Sequence, residues 1–186
     1  VKRRCSNIPG GSRAREGKPR METRRANEVE AERLVGAYAD LILRLSYTYL
    51  KSTHDAEDIC QTVLLKLMGA PARFEGPEHE RAWVIRTTAN ACKDVLRSGH
   101  RRRTVGLEAA PDAAAPEEPE SEVVDAVMAL PCKYREAIYL HYYEGYSIRE
   151  IAKLTGRSES AVSAHLSRGR AKLRTMLEGA YCEQGV

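Results

Sequence analysis

Apolar residues in the amino-terminal half of the chain recur at helical spacing. Five of them lie three or four positions apart and define one face of a first helix: Leu34, Tyr38, Leu41, Ile42 and Leu45. A second helix is predicted to begin near Thr53, because the Ser52 and Thr53 hydroxyls can cap it and acidic residues follow in its first turns. Its apolar stripe consists of Ile59, Val63, Leu64 and Leu67. Gly69 and Pro71 are predicted to end it.

A third helix with two different faces is predicted from Arg81 to Arg97, after a polar loop over residues 73–80. The face predicted to be buried carries Ile85, Ala89, Cys92 and Leu96. The other face carries an aromatic residue followed by polar ones: Trp83, Thr87, Asn90, Asp94 and Arg97. We interpret this second face as a binding surface. The alternative is an ordinary solvated face led by a partly buried tryptophan.

The carboxy-terminal part of the chain contains a helix-turn-helix pattern. Residues 147–156 predict a short helix that starts with a capping box, Ser147 with Glu150, and ends at Gly156 in a left-handed conformation. Ala152 and Gly156 supply the small residue and the turn glycine that the motif requires.

A longer helix is predicted to follow, from Glu159 to about Glu178, with Ser158 as its cap. Its inward positions are Val162, Leu166 and Leu173. Four basic residues on this helix can pair with phosphates: Arg168, Arg170, Lys172 and Arg174. A solvated basic face is the alternative interpretation.

Charge is distributed unevenly along the 186 residues. The net charge of +4 combines a net +7 over residues 1–26 with a net −6 over residues 104–122, a segment with three prolines and no lysine or arginine. Such segments cannot bury enough apolar surface to offset the entropy lost on ordering. We therefore predict a disordered basic arm over residues 1–26 and a flexible acidic linker over residues 104–122.

The remaining segments predict an all-α chain with two small helical domains joined by that linker. The domains are expected over residues 27–103 and 123–178, followed by a tail over residues 179–186. An apolar content of 42% is enough for two small cores.

Several classes of protein are disfavoured by what the sequence lacks. The longest apolar stretch is interrupted by Asp40 and Arg44, so we expect no membrane insertion. The basic amino terminus is not followed by the apolar segment of a signal peptide. The five cysteines include no C-x-x-C pair, and no H-E-x-x-H occurs. We therefore expect a cytoplasmic protein with free thiols, no metal and no cofactor.

Three segments, in the family's order, closely resemble the extracytoplasmic-function (ECF) sigma factors of bacterial RNA polymerase. Residues 130–152, continuing through residues 168–173, resemble domain 4 of these proteins. The run D-A-E-D-I-C-Q over residues 55–61 resembles part of their domain 2. Arg81-Ala-Trp83 and the polar residues after it resemble the promoter-reading helix of the same domain.

The resemblance implies a non-enzymatic subunit that binds core RNA polymerase and directs promoter recognition, DNA melting and transcription initiation. The implied partners are core RNA polymerase, double-stranded promoter DNA, the opened single strand of the −10 element and, as a candidate, an anti-sigma factor.

The resemblance also implies three sets of functional residues. The set for core polymerase is Asp55, Glu57, Asp58 and Gln61. The set for the −10 element is Phe74, Trp83, Arg86, Asn90, Asp94, Arg97, Arg101, Arg102 and Arg103. The set for the −35 element is Ser158, Ser160, Ala161, Ser163, His165, Arg168, Arg170 and Lys172. Ser163 and His165 stand where many relatives have basic residues, so the −35 contacts of those relatives do not transfer unchanged.

Two other functions compete with this interpretation. A stand-alone helix-turn-helix regulator would bind its DNA site tightly without polymerase, whereas a sigma factor would require it. The acidic run at residues 55–61 and the absence of a heptad dimer seam argue against the regulator. An enzyme could use His54, Asp55, Asp58 and His79, but their spacing matches no known ligand or acid–base pattern.

Overall fold

The computed structural model describes residues 18–70, 74–104 and 122–183, with side chains over residues 27–70, 74–98 and 122–178. These residues form an amino-terminal domain of three α-helices: α1 (Lys18–Leu50), α2 (Thr53–Met68) and α3 (Pro77–Thr104). A carboxy-terminal domain follows: α4 (Glu122–Ala129), α5 (Cys132–Ile138), which continues into a π-helical turn (Tyr139–Tyr143), α6 (Ile148–Thr155) and α7 (Glu159–Glu183). The described residues contain no strand, which confirms the all-α prediction.

The amino-terminal domain is a bundle in which α1 packs against both α2 and α3. The five apolar residues predicted for the inner face of α1 are all buried, from Leu34 to Leu45. α2 contributes Ile59, Val63 and Leu67 to the same core, and α3 contributes Val84, Ile85, Ala89 and Cys92. The periodicity of the sequence therefore located most of this core, although it missed the fully buried Val84, and Leu64 is only half-buried.

Two helices of the bundle begin earlier than the sequence pattern predicted. α1 begins at Lys18, inside the segment expected to be a disordered arm, because residues 20–33 lack glycine and proline and are rich in good helix formers. α3 begins at Pro77 rather than Arg81, because proline suits the first turn of a helix, where its missing N–H is not needed. Glu78 and Glu80 in that turn favour the helix dipole.

The end of α3 also differs from the prediction. The helix continues past Arg97 to Thr104. Leu96, predicted to be buried, is 40% exposed. Residues 94–98 are all exposed, and they span more than one turn. Among the described residues, this part of α3 therefore lies on the surface, and Leu96 is not covered by another helix although its spacing is correct.

The carboxy-terminal domain packs α7 against α4, α5 and α6. Gly169 on α7 permits the close approach to α5, since a Cβ there would lie 3.3 Å from Ile138 Cγ1 and 3.5 Å from Tyr134 Cβ. Val162 and Leu166 are buried as predicted, and Leu173 is half-buried. α7 reaches Glu183, five residues beyond the predicted end and into the expected tail.

The two domains touch each other in this structure. α1 contacts α5, α3 contacts α6, and the buried residues of both domains form one continuous cluster. Most of the acidic linker, the first 17 residues and residues 184–186 lie outside the described residues. None of the described helices has the length and apolar character required to cross a membrane.

The cysteines that the structure describes are free thiols. Cys60 and Cys92 are buried, and Cys132 is half-buried. Burial raises the pKa of all three, that of Cys92 to about 11, so the thiolate form is scarce at neutral pH. Within the described part of the chain, no group of three or more His, Cys, Asp or Glu side chains could hold a metal ion.

Candidate functional site

The residues expected to bind polymerase lie on the first turns of α2. Ser52 caps this helix, and its Oγ accepts a hydrogen bond from the Asp55 backbone N–H at 3.2 Å. Asp55 is half-buried by this turn, whereas Glu57, Asp58 and Gln61 are exposed. The capped helix start therefore presents carboxylates to solvent at the positive end of the helix dipole.

The same side of α2 continues into two exposed apolar residues. Leu65 is 61% exposed and Met68 is 48% exposed. They follow Asp58 and Gln61 at spacings of 3, 4 and 3 residues, which places all four on one helix face. We call this surface, with Glu57, the acidic–apolar face of α2. Leu65 and Met68 were not identified from the sequence, although Leu65 already fell outside the predicted core stripe.

A groove lies between the end of α2 and the start of α3. Phe74 contacts His79 edge to face and Trp83 at a tilt, with ring centroids 5.8 Å apart in both pairs. Trp83 is half-buried because it also packs against the core of the bundle. The groove has a volume of about 610 Å³ and is lined by Glu30, Arg33, Leu34, Leu67, Met68, Ala70, Phe74, Gly76, Pro77 and Glu80.

An ion-pair network fixes one wall of this groove. The Arg33 guanidinium donates to the Glu30 carboxylate at 2.8 Å and to Glu80 at 3.1 Å. The hydrogen bond from Arg33 lowers the pKa of Glu30. Burial opposes the charged form of Glu80, but hydrogen bonds from Arg33 and Tyr38 outweigh it and also hold that pKa low. The start of α3 is therefore tied to α1 by charges that persist well below neutral pH.

The polar stripe of α3 runs outward from Trp83. Arg86, Asn90, Asp94 and Arg97 are all exposed. Arg97 Nη1 lies 3.0 Å from Asp94 Oδ1, so these two charges partly neutralise each other. Arg101, Arg102 and Arg103 continue the same helix, but their side chains lie outside the described residues.

The helix-turn-helix forms as its capping signals predicted. Ser147 and Glu150 make the complete capping box of α6, and Gly156 ends it with a φ of +68°. Ser158 Oγ then accepts a hydrogen bond from the Ala161 backbone N–H at 3.2 Å. These local bonds fix the angle at which the chain enters α7, which is the second helix of the motif.

α7 turns most of its candidate DNA-binding residues to solvent. The exposed members of that set are Ser158, Ser160, Ser163, Arg168, Arg170 and Lys172. Arg170 Nη1 approaches the hydroxyl of Tyr142, in the π-helical turn, at 3.5 Å. Ala161 and His165 are only half-exposed. Six of the eight residues are therefore exposed on the motif, and Arg168 and Lys172 lie one turn apart on one side of α7.

His165 differs from the others because its ring packs inward. The ring centroid lies 5.8 Å from that of Tyr134 on α5, and its Nδ1 is buried without a hydrogen-bond partner. Burial, followed by the nearby charges of Arg157 and Lys133, lowers its pKa. The imidazole is therefore mainly neutral at pH 7, so it supplies little positive charge to bound DNA.

Both halves of the chain match models of known protein families. Residues 34–103 match the model for sigma-70 region 2, and residues 120–173 match the model for sigma-70 region 4. The solved structure of the sigma factor RpoE from Bartonella quintana, in complex with the anti-sigma factor NepR, is similar with a TM-score of 0.65 at 20% identity. That match covers 79% of this chain and 96% of RpoE. CnrH, in complex with the cytosolic domain of CnrY, is similar with a TM-score of 0.59 at 22% identity, over 86% of this chain and 94% of CnrH.

Sequence relatives agree with these matches. The probable RNA polymerase sigma factor RfaY of Xanthomonas campestris is 30% identical over 78% of this chain, and the ECF sigma factor SigE of Mycolicibacterium smegmatis is 31% identical over 78%. The chain spans only 40% and 61% of the length of these two proteins. The ECF sigma factor SigM of Mycobacterium tuberculosis is 31% identical over 77% of this chain and 74% of SigM. The chain therefore belongs to the ECF family of RNA polymerase sigma factors.

Proposed function

We propose that the chain binds core RNA polymerase as a sigma subunit and directs promoter recognition, DNA melting and transcription initiation. The observation that carries this proposal is the presence of two unlike surfaces in one chain. One is the acidic–apolar face of α2, suited to a protein partner, and the other is a helix-turn-helix with exposed arginines and lysine. No catalytic role is assigned, and the place of action would be the bacterial cytoplasm, where polymerase and chromosome are.

Core polymerase would bind the acidic–apolar face of α2. Asp58 and Gln61 offer polar contacts to a basic partner surface, and such charge complementarity fixes orientation and accelerates association. Leu65 and Met68 add apolar area that association would remove from water. An exposed carboxylate pair alone would contribute little, so we expect the apolar residues to carry a large part of the affinity.

The opened strand of the −10 element would bind along α3. An unstacked base can be held against an aromatic ring in a cleft, and Phe74, which packs against Trp83, lines such a groove. Arg86 and Asn90 lie on the exposed stripe next to it and can contact the backbone and base edges of the strand. Asp94 and Arg97, which pair with each other, would contribute less charge to the complex.

The duplex of the −35 element would bind α7, which we call the recognition helix. Ser160 and Ser163 lie near its start, where side chains reach base edges in the major groove. Arg168, Arg170 and Lys172 lie one to three turns further along and would contact phosphates. On this arrangement serines specify the sequence and the basic residues position the helix.

An anti-sigma factor is the further partner that we propose. The solved structure of RpoE contains the anti-sigma factor NepR, and that of CnrH contains the cytosolic domain of CnrY. The exposed apolar residues on α2 give this chain a surface that an inhibitory partner could cover in competition with polymerase. Displacement of the chain from core polymerase by that partner would test the competition.

Binding of a promoter fragment with and without core polymerase tests the proposed function. The proposal predicts specific retention of the fragment only when chain and core polymerase are both present. A matched fragment with scrambled −10 and −35 sequences is the control. Tight, sequence-specific binding by the chain alone, unchanged by core polymerase, would indicate a stand-alone regulator instead.

A further inference from the structure

One wall of the groove beside Phe74 is made by Arg33 on α1. Arg33 donates to the Glu30 carboxylate from Nε at 3.0 Å and from Nη2 at 2.8 Å. It also donates to the Glu80 carboxylate from Nη1 and from Nη2, both at 3.1 Å. Two hydrogen bonds to each carboxylate fix the orientation of the guanidinium as well as its distance. We call these three residues the Arg33 clamp, which joins α1 to the first turn of α3.

Glu80 is the residue on which the Arg33 clamp acts. Its side chain is only 14% exposed, whereas that of Arg33 is 47% exposed. Tyr38, also on α1, is a second hydrogen-bond donor to the Glu80 carboxylate. Burial and that hydrogen bond raise the pKa of Tyr38 to about 12, so its hydroxyl stays protonated and able to donate. Two side chains of α1 therefore hold one carboxylate of α3.

The position of Glu80 determines where the chain enters α3. The Glu80 backbone N–H donates to the Gly76 carbonyl at 3.1 Å, at the very start of the helix. Gly76 and Pro77 both line the groove. A shift of Glu80 would therefore move the rim of the groove with it.

Phe74 depends on the same turn of α3. Its ring contacts His79 edge to face and Trp83 at a tilt, and the Glu75 backbone N–H donates to His79 Nδ1 at 3.4 Å. Both ring contacts thus lie on α3, one residue before Glu80 and three residues after it. A ring that is already held in place binds a base without a further loss of side-chain freedom. The Arg33 clamp therefore holds, through α3, the ring to which we assign base stacking.

Two simpler roles for Arg33 fit the structure less well. The Arg33 side chain is half-exposed, and ion pairs of exposed side chains contribute little to stability, so the clamp is not needed to keep the domain folded. A direct contact with a DNA phosphate is disfavoured, because Arg33 lies between the carboxylates of Glu30 and Glu80. Two carboxylates and one guanidinium give this cluster a net negative charge, which repels phosphate.

We propose that Arg33 is a positioning residue for the −10 element: by clamping Glu80 it holds the start of α3, and with it Phe74, in the arrangement that receives an unstacked base. This role rests on the proposed function, because it takes the groove beside Phe74 as the site of that base. Arg33 itself contacts no nucleotide. Its effect on DNA binding therefore passes through Phe74.

The fluorescence of the free chain tests the clamp without DNA. Trp83 is the single tryptophan of the sequence, so its emission reports on the start of α3. Arg33→Met should increase quenching of Trp83 by acrylamide, because the first turn of α3 loses a tether and Phe74 no longer covers the indole in one position. Lys66→Met removes one positive charge at an exposed position of α2 and should leave quenching unchanged. Equal quenching in R33M and wild type would overturn the proposal.

Templates with abasic sites separate positioning from a general loss of structure. Complexes of core polymerase with the full-length chain are titrated with templates whose −10 strand is opened and lacks one base at a chosen position. R33M should weaken binding of the intact template about 10-fold, within the range for stacking of one base on an aromatic ring. Where the missing base is the one that occupies the groove, R33M and wild type should bind alike. An equal loss on every template would show a merely structural role and would overturn the proposal.

Phe74→Ala identifies the same position independently. F74A should lose its own effect on the same abasic template, and R33M/F74A should bind the intact template no more weakly than F74A, because both changes remove one contact. Additive losses in the double variant would contradict the proposal.

Arg33→Lys separates geometry from charge. Lysine keeps the positive charge but lacks the planar fork that bonds both carboxylates. R33K should therefore show most of the loss measured for R33M. Wild-type affinity of R33K for the opened template would show that the charge alone is sufficient and would overturn the positioning role.

The binding measurements distinguish a failure of this role from a failure of the proposed function. If the wild-type chain with core polymerase does not bind the opened template, the proposed function fails and the positioning role fails with it. If wild type binds the opened template and R33M binds it equally well, the positioning role fails alone.

Discussion

The two domains offer nucleic acid surfaces of opposite character. The amino-terminal domain presents aromatic rings beside a groove, and along its stripe Asp94 and Arg97 neutralise each other. The carboxy-terminal domain presents Arg168 and Lys172 on an exposed helix face with serines at its start. Rings in a groove suit unstacked bases, whereas free cations suit the phosphates of a duplex. We therefore propose single-strand binding for the amino-terminal domain and duplex binding for the carboxy-terminal domain.

The domains also differ in how binding is connected to folding. Trp83 lines the candidate −10 surface and packs against the core, so one side chain serves both purposes. On α7 the core is formed by Val162 and Leu166, whereas Ser163, Arg168 and Lys172 are exposed and lie outside that core. Substitutions should therefore separate binding from stability more cleanly in the carboxy-terminal domain.

The largest expected effect concerns polymerase binding, which the account assigns to the amino-terminal domain alone. Asp58→Arg should weaken core binding by about 2 kcal/mol, or about 30-fold, because it sets like charges against each other. Asp125→Arg on α4 makes the same charge change at an exposed position of the other domain and should have little effect. Titration of labelled core polymerase measures both. Equal weakening of core binding by the two variants would contradict the proposal that α2 binds core polymerase.

A substitution in the aromatic groove should affect opened DNA and spare the duplex. Phe74→Ala should weaken the polymerase complex on a template with a pre-opened −10 strand by about 1–3 kcal/mol, through lost stacking on a base. Binding to a fragment that carries only the −35 duplex should not change. A comparable loss on both templates would show that Phe74 supports the fold and not the strand.

On the recognition helix, two kinds of substitution should behave differently. Ser163→Ala should reduce discrimination at one −35 base pair by about 1 kcal/mol without changing salt dependence. Arg168→Ala should weaken all sequences alike and reduce the slope of log K against log salt by about 0.9. Polymerase binding to a set of single-base promoter variants, at several salt concentrations, measures both. Identical changes in sequence preference and salt dependence in the two variants would show that Ser163 and Arg168 do not have different roles.

The smallest expected effect is a pH dependence located in the carboxy-terminal domain. Burial lowers the pKa of His165 in the folded state, so below its usual value near 6.5 the unfolded chain binds more protons. The contribution of His165 to stability is therefore complete above that pH and is lost as the pH falls. Thermal unfolding at pH 5.5 and 7.5 should show less pH dependence in His165→Gln than in wild type.

Local signals in the sequence were sufficient for much of this structure. The capping box at Ser147 and Glu150 and the left-handed Gly156 depend on residues within one turn of each other, so they could be predicted. Pro77 was misinterpreted because proline marks loops and helix starts equally well. Leu96 was misplaced because periodicity defines a helix face but does not tell whether another helix covers it.

Long-range contacts were beyond the reach of sequence patterns. Tyr49 and Glu136 are 87 residues apart, and no spacing rule connects a tyrosine of one domain with a glutamate of the other. The inward orientation of His165 likewise depends on Tyr134, which α5 brings to it through tertiary packing. The orientation of a single side chain such as His165 could therefore not be predicted from the sequence, whereas helix ends could be predicted from their capping residues.

Run-off transcription with purified core polymerase on a library of genomic promoter fragments tests the central claim most directly. The account predicts that adding this chain produces transcripts from a defined subset of fragments that share −10 and −35 sequences. Core polymerase alone, or with the Asp58→Arg chain at the same concentration, should produce few or no transcripts from that subset of fragments. An unchanged transcript profile on adding the wild-type chain, although it binds core polymerase, would contradict the account.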